Sequence, residues 1–153
     1  MKRLATIFIA MFSVSTYADS SNGLERIQSQ SDVTRTTERL VTVLKDAGMT
    51  VFATIDHASA AKKVGTNLKP TQLVIFGNAK IGSKLMQCQQ TIAIDLPQKA
   101  LINEDQNGTV WITYNQPSYL AKRHNLTGCD KVLQKVEAAL SALFKKAAKP
   151  NTP

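Results

Sequence analysis

The sequence predicts an α+β fold, a two-layer sandwich in which helices pack on a mostly antiparallel sheet. Strand-like and helix-like segments alternate through the chain, a hairpin signal joins two late strands, and a long amphipathic helix ends the domain. Because hairpin-connected strands are antiparallel neighbours, the hairpin argues against a purely parallel sheet.

The first elements are a weak strand and a strong helix. Residues 24–29 alternate weakly between apolar and polar side chains, as a strand does. Ser31-Asp32 then offers an N-cap to a helix with apolar residues at helical spacing from Val33 to Leu44. Gly48 stands where the glycine that follows a helix belongs, so the helix is predicted to end there.

The middle of the chain predicts two strands around a short helix. Residues 49–55 are rich in β-formers and end at Asp56-His57, and the alanine-rich segment 58–64 predicts the helix. The apolar run Leu73-Val74-Ile75-Phe76 is typical of a strand crossing the core.

The next part predicts a helix, three strands and two final helices. Residues 78–87 are interpreted as a turn into a short helix, and Ile92, Ile94 and Leu96 alternate as in a strand. Asn107-Gly108 joins the strands predicted at 100–103 and 110–114 into a hairpin. Pro117 opens a short helix through His124, and an apolar stripe from Val132 to Phe144 marks the long last helix.

The first eighteen residues are interpreted as a cleaved signal peptide. Lys2 and Arg3 precede the apolar stretch 4–14, which is shorter than the roughly 20 residues that span a bilayer, and Ala18 precedes the expected cut. Residues 19–149 would then form a single domain and 150–153 a flexible tail. We expect a periplasmic protein, with secretion as the alternative, and no transmembrane segment.

The charge pattern limits the partners. The chain carries 19 Lys and Arg against 11 Asp and Glu, and residues 58–101 hold six lysines but one acid, Asp95. Such a segment could attract an anionic small molecule or an acidic periplasmic protein, or it is a solvated surface. Few arginines and no aromatic–basic interleaving argue against nucleic acid.

Cys88 and Cys129 are the only cysteines of the chain. In an oxidising compartment such a pair predicts a disulfide, whereas a thioredoxin-like exchange site would need a Cys-x-x-Cys spacing that is lacking. A redox pair or soft metal ligands remain alternatives.

His57, beside Asp56 at a strand-to-helix junction, is the candidate for chemistry. It could act as a general base or simply cap the next helix. With Cys88 and His124 it could instead bind copper or zinc, although the spacing is not diagnostic. The turn after Phe76, Gly77 and Asn78 could cradle an anion or be a plain turn.

Several short motifs, in order, resemble the bacterial family known as domain of unknown function 302. They are Ile55-Asp56-His57-Ala58 with Ala60-Ala61, Phe76-Gly77-Asn78, Leu85-Met86, Asp95-Leu96-Pro97, Tyr114, Pro117, Tyr119-Leu120 and Arg123-His124. The resemblance covers Val33 to Leu143 and implies a compact α+β domain that forms homodimers, with no established activity. Ala79 stands where the family usually has proline, and the two cysteines look peculiar to this branch, which favours an added disulfide.

These observations together predict a non-enzymatic, homodimeric binding or accessory module without a cofactor. Its expected cleft is lined by Asp56, His57, Phe76, Gly77, Asn78, Met86 and His124. The alternatives are a small periplasmic enzyme using His57, a copper- or zinc-binding protein, and a purely structural domain.

Overall fold

A computed structural model describes residues 22–150 of the chain. The predicted signal peptide and residues 151–153 of the predicted tail lie outside this range. The elements are β1 (Leu24–Ser29), α1 (Val33–Asp46), β2 (Thr50–Asp56), α2 (His57–Lys63), β3 (Thr71–Gly77), α3 (Ala79–Cys88), a 3₁₀ helix (Gln90–Ile94), β4 (Gln98–Glu104), β5 (Val110–Asn115), α4 (Pro117–Arg123) and α5 (Asp130–Ala148).

The five strands form one antiparallel sheet in the order β1-β5-β4-β3-β2. The predicted α+β sandwich is therefore confirmed. The predicted hairpin is confirmed as well, since β4 and β5 pair across a turn in which Gly108 has a φ of +79°. In that turn the Asp105 carboxylate accepts hydrogen bonds from Trp111 Nε1 and from the backbone N–H groups of Thr109 and Asn107, which lower its pKa.

The main core lies between one face of the sheet and helices α1 and α5. Its aromatic centre is Phe144, whose ring stands edge-on to Phe76 at 5.8 Å and to Tyr114 at 4.3 Å between centroids. Leu40 and Leu44 of α1 complete this apolar cluster, and both are fully buried. The opposite face of the sheet carries partly exposed side chains, including those of Leu73 and Leu101.

A second apolar cluster, which we call the outer layer, joins α3, the 3₁₀ helix, α4 and the start of α5. Its buried residues are Leu85, Ile92, Leu120, Cys129 and Leu133. These elements are short, with seven residues in α4 and ten in α3. Helices this short are marginal by themselves, so the packing between them stabilises the outer layer.

The strand predicted over Ile92, Ile94 and Leu96 is wrong. Residues 90–94 form a 3₁₀ helix in which Asp95 N–H donates to Ile92 O and Leu96 N–H to Ala93 O. Ile92 is consequently buried while Ile94 is 74% exposed. Both neighbouring positions beside β3 are taken by β2 and β4, so this segment satisfies its backbone groups locally instead.

Candidate functional site: an apolar cavity between two helices

A cavity of about 730 Å³ lies between α3 and α5, at the end of the sheet where β3 ends and β4 begins. Its floor is made by residues of the two apolar clusters. Phe76, Leu85, Gln98 and Leu140 all line it and are almost completely buried. The cavity is thus built into the junction between the main core and the outer layer.

The rim of the cavity exposes large apolar side chains to solvent. Phe52 is 59% exposed and Ile81 is 36% exposed, and both line the opening. Phe52 sits where the pairing of β2 with β3 shifts register between Val51 and Ala53. Such a bulge re-aims a side chain relative to its strand, and here the Phe52 ring lies beside Gly77 and Pro97.

Two lysines supply the charge at the opening. Lys84 of α3 and Lys135 of α5 both line the cavity, and no aspartate or glutamate does. Neither ammonium group forms a salt bridge or hydrogen bond with any residue of the described range 22–150. The site therefore combines an apolar interior with an uncompensated positive rim.

The floor contains one polar side chain, that of Gln98. Only 8% of the Gln98 surface is exposed, and the residue lines the cavity. Its carboxamide makes no hydrogen bond to the residues that the structure describes. The Gln98 amide is not among the buried polar atoms left without a partner, so solvent reaches it and it is available to a molecule in the cavity.

The disulfide ties together the two helices that wall the cavity. Cys88, the last residue of α3, is bonded to Cys129, which immediately precedes α5, and their Cα atoms are 6.4 Å apart. Lys84 lies one turn before the bridge, and Lys135 lies less than two turns after it. The bridge predicted from the cysteine pair is present. It fixes the end of α3 to the start of α5.

Four of the residues predicted for the site lie together in the cavity wall: Phe76, Gly77, Asn78 and Met86. Asn78 has a structural role there. Its Oδ1 accepts from Ile81 N–H, which caps α3, and its Nδ2 donates to Gly48 O. This turn therefore starts a helix.

Asp56 and His57 lie at the opposite end of β2 from the cavity. β2 has seven residues and spans about 20 Å, and its first residue, Thr50, is the one that pairs with Gly77 at the cavity end. Asp56 caps α2 by accepting from Ser59 N–H at 2.8 Å. His57 is exposed and does not line the cavity.

His124 also lies outside the cavity, in a hydrogen-bonded cluster. Its Nε2 is 2.6 Å from Asp95 Oδ2, and its Nδ1 is 3.2 Å from Thr91 Oγ1. Arg123 contacts the same carboxylate at 3.4 Å. The order hydroxyl, imidazole, carboxylate is that of a nucleophilic triad, but none of these side chains lines the cavity. The cluster instead links α4 to the segment after the 3₁₀ helix.

The three metal ligands considered from the sequence do not form a centre. Cys88 is bonded to Cys129, and residues 22–150 contain no group of three or more histidine, cysteine or acidic side chains placed to hold a metal ion.

Three cavity residues from distant parts of the sequence were not predicted. Lys84, Lys135 and Gln98 are separated by up to 51 positions, and only the fold brings them to one cavity. One signal was present: on α5, Val132, Lys135, Val136 and Ala139 recur at helical spacing, so a lysine interrupts an apolar stripe.

Fold and cavity together define a class: an antiparallel α+β sandwich with an apolar, ligand-sized cavity beside its sheet. The chain belongs to the family described as Domain of unknown function DUF302, whose model matches residues 25–143.

A crystal structure agrees with this fold. It is that of an uncharacterized conserved DUF302 protein from Bacillus stearothermophilus, with a TM-score of 0.75 and 19% identity. The match covers 82% of this chain and 98% of that one. At this identity the likeness concerns the fold alone.

The curated relatives are longer proteins. The chain is 47% identical over 105 residues to the fluoride-specific ion channel FluC 1 of Brucella suis biovar 1, a match that covers 69% of this chain and 41% of that protein. The same identity relates it to FluC 2 of Brucella melitensis biotype 1, of which it covers 39%. The chain thus spans about two fifths of these relatives. Within residues 22–150 no helix is long and apolar enough to cross a membrane.

Proposed function

We propose that this protein is a non-enzymatic binding module that takes a small, largely apolar molecule into the cavity between α3 and α5. The observation that carries the proposal is the cavity itself, about 730 Å³ and lined by side chains such as Met86, Leu96 and Val136. Ligand sites of this kind are apolar clefts of roughly 300–1,000 Å³ with a few polar groups. Gln98 and the two rim lysines are those polar groups.

The test is binding of N-phenyl-1-naphthylamine, a neutral dye that fluoresces in apolar surroundings. Ala139 lines the cavity and is exposed, whereas Ala138, its neighbour on α5, is exposed and does not line it. We expect Ala139→Phe to weaken dye binding at least tenfold and Ala138→Phe to leave it unchanged. Equal binding by both variants, or no binding by the wild type, would contradict the proposal.

The chain length of a ligand gives a second readout. Burying one methylene group contributes about 0.8 kcal/mol, or roughly fourfold in affinity. Dodecanol should therefore displace the dye more strongly than decanol does, by roughly an order of magnitude in concentration.

We also propose that the protein is exported, with residues 1–18 removed. The Cys88–Cys129 bridge supports this proposal because disulfides persist in oxidising compartments. The mass of the protein isolated from a periplasmic fraction checks it, and a chain that still begins at Met1 would contradict it.

Homodimer formation is part of the same proposal. On the face of the sheet opposite α1 and α5, the partly exposed Ile55, Leu73 and Leu101 lie side by side across β2, β3 and β4. An apolar row of this kind supports pairing with a second copy. Light scattering should give twice the monomer mass for the wild type and the monomer mass for Leu101→Lys.

The Brucella relatives favour a second candidate, an accessory module that works beside a membrane fluoride channel. The chain matches a minor part of proteins named for that activity. Deleting the gene for this chain should then sensitise its host to fluoride, and unchanged sensitivity would exclude this candidate.

A further inference from the structure

We infer that the ligand of the cavity is an anionic amphiphile, an apolar body that ends in one negatively charged group. This inference rests on the proposed function and names its ligand class. The evidence is the distribution of polar groups around an otherwise apolar space.

The rim attracts an anion and nothing in the cavity wall repels it. Lys84 and Lys135 reach the opening from two different helices, and no acidic side chain lines it. Both lysines lack an ion-pair partner among residues 22–150. A negatively charged group at the opening would be attracted by both lysines without displacing an existing salt bridge.

The positions of the lysines set the orientation of the ligand. Both are exposed, whereas Phe76, Leu85 and Leu140 at the floor are buried. The charged group therefore stays at the solvent edge, where it keeps part of its hydration, and the apolar body points inward. This arrangement avoids the large cost of burying a charge.

Gln98 sets a further requirement at the inner end. Its carboxamide offers a donor and an acceptor inside the cavity and has no partner among the described residues. A hydroxyl or carbonyl at the inner end of the ligand body would satisfy it. A hydroxylated fatty acid or an aromatic acid with a ring hydroxyl has both features.

The experiment measures displacement of N-phenyl-1-naphthylamine by four ligands that share a twelve-carbon chain: dodecanoate, dodecanol, dodecyltrimethylammonium and 12-hydroxydodecanoate. We expect dodecanoate to bind roughly two- to thirtyfold more tightly than dodecanol, as two exposed ion pairs predict. The ammonium ligand should bind least, and 12-hydroxydodecanoate should bind at least as tightly as dodecanoate. At 1 M salt the Debye length falls to about 3 Å and charge attractions are screened, so the preference for dodecanoate over dodecanol should decrease.

The matched variants are Lys84→Gln/Lys135→Gln and Lys62→Gln/Lys63→Gln. Both remove two exposed positive charges, but the second pair lies on α2, away from the cavity. The first should lose the preference for dodecanoate over dodecanol, and the second should keep it.

Two results overturn the inference while leaving the proposed function standing: dodecanoate binding no better than dodecanol, or a preference that survives in Lys84→Gln/Lys135→Gln. Failure of the neutral dye and of dodecanol to bind the wild type is a different result, and it overturns the proposed function itself.

Discussion

The main core and the outer layer are stabilised by different kinds of contact. The main core brings long helices against a five-stranded sheet and closes around Phe144, with no exposure left at Phe144 or Leu40. The outer layer is built of short helices held by a disulfide and the Asp95–His124 contact. The cavity lies where the two meet. One region maximises burial, and the other keeps an apolar space open.

The largest expected effect tests the main core. Phe144→Ala should lower the free energy of unfolding by about 3–5 kcal/mol, since it removes a fully buried ring between Phe76 and Tyr114. Phe52→Ala, at the cavity rim, should cost less than about 1 kcal/mol and weaken dye binding instead. Urea unfolding and dye titration of the two variants measure both. If Phe52→Ala destabilised the protein as much as Phe144→Ala, the division into a stabilising region and a binding region would be wrong.

The second effect tests the outer layer. Cys88→Ala/Cys129→Ala should cost roughly 2–4 kcal/mol, because the bridge restricts the unfolded chain over a sequence separation of 41 residues. The cavity should also bind the dye less tightly, because α3 and α5 are no longer fixed to each other. Reduction of the wild type should reproduce both changes. Loss of stability with unchanged dye affinity would show that the cavity walls do not depend on the bridge.

The third effect is a pH dependence of the main core. Burial, followed by the charges of Glu25 and Glu137, raises the pKa of Tyr114 to about 12, against a hydrogen bond with Ser141 that lowers it. Because the folded-state pKa is above the ordinary value of about 10, this stabilisation is complete below pH 10 and is lost as the pH rises to 12.

The loss should be about 2 kcal/mol. It is measured as the free energy of unfolding at pH 9 minus that at pH 12, compared between the wild type and Tyr114→Phe. The same difference in both proteins would mean that Tyr114 does not titrate with folding.

The smallest effect concerns the hydrogen-bonded cluster of His124, Asp95 and Thr91 in the outer layer. His124→Gln removes the contact with Asp95 and changes that with Thr91, and it should cost about 1 kcal/mol. His57→Gln is the control, since His57 is exposed and distant from the cavity. Urea unfolding measures the free energy of unfolding of both variants. If His124→Gln were as stable as His57→Gln, the His124 cluster would not contribute to stability.

The regular elements were predictable from sequence because each depends on neighbouring residues. The start of α1 is set by the side chain of Asp32, which accepts a hydrogen bond from the first turn, and its end by Gly48, which has a φ of +72°. Asn107-Gly108 predicts a turn because these two residues favour turn conformations. The segment after Cys88 was not predictable in this way. Its alternation is typical of a strand, but the sheet has no free position beside β3.

The site was predictable only in part, for a geometric reason. Asp56-His57 and Phe76-Gly77-Asn78 each follow a strand, and local patterns give no means of separating them. In an antiparallel pair the carboxyl ends of the two neighbouring strands lie at opposite ends of the sheet, measured along the strand direction. β2 and β3 are such a pair, so one motif lies at the cavity and the other about 20 Å away.

The position of β1 has a consequence for the time at which the protein can fold. The first strand pairs with the last, β5, and with no other strand. The end of α5 is fixed to the same region, since Gln30 N–H and Arg39 Nε donate to the carbonyls of Ala148 and Ala147. Contacts of such long sequence separation form late. The sheet therefore cannot be completed before residue 115 has been synthesised, nor the main core before residue 148.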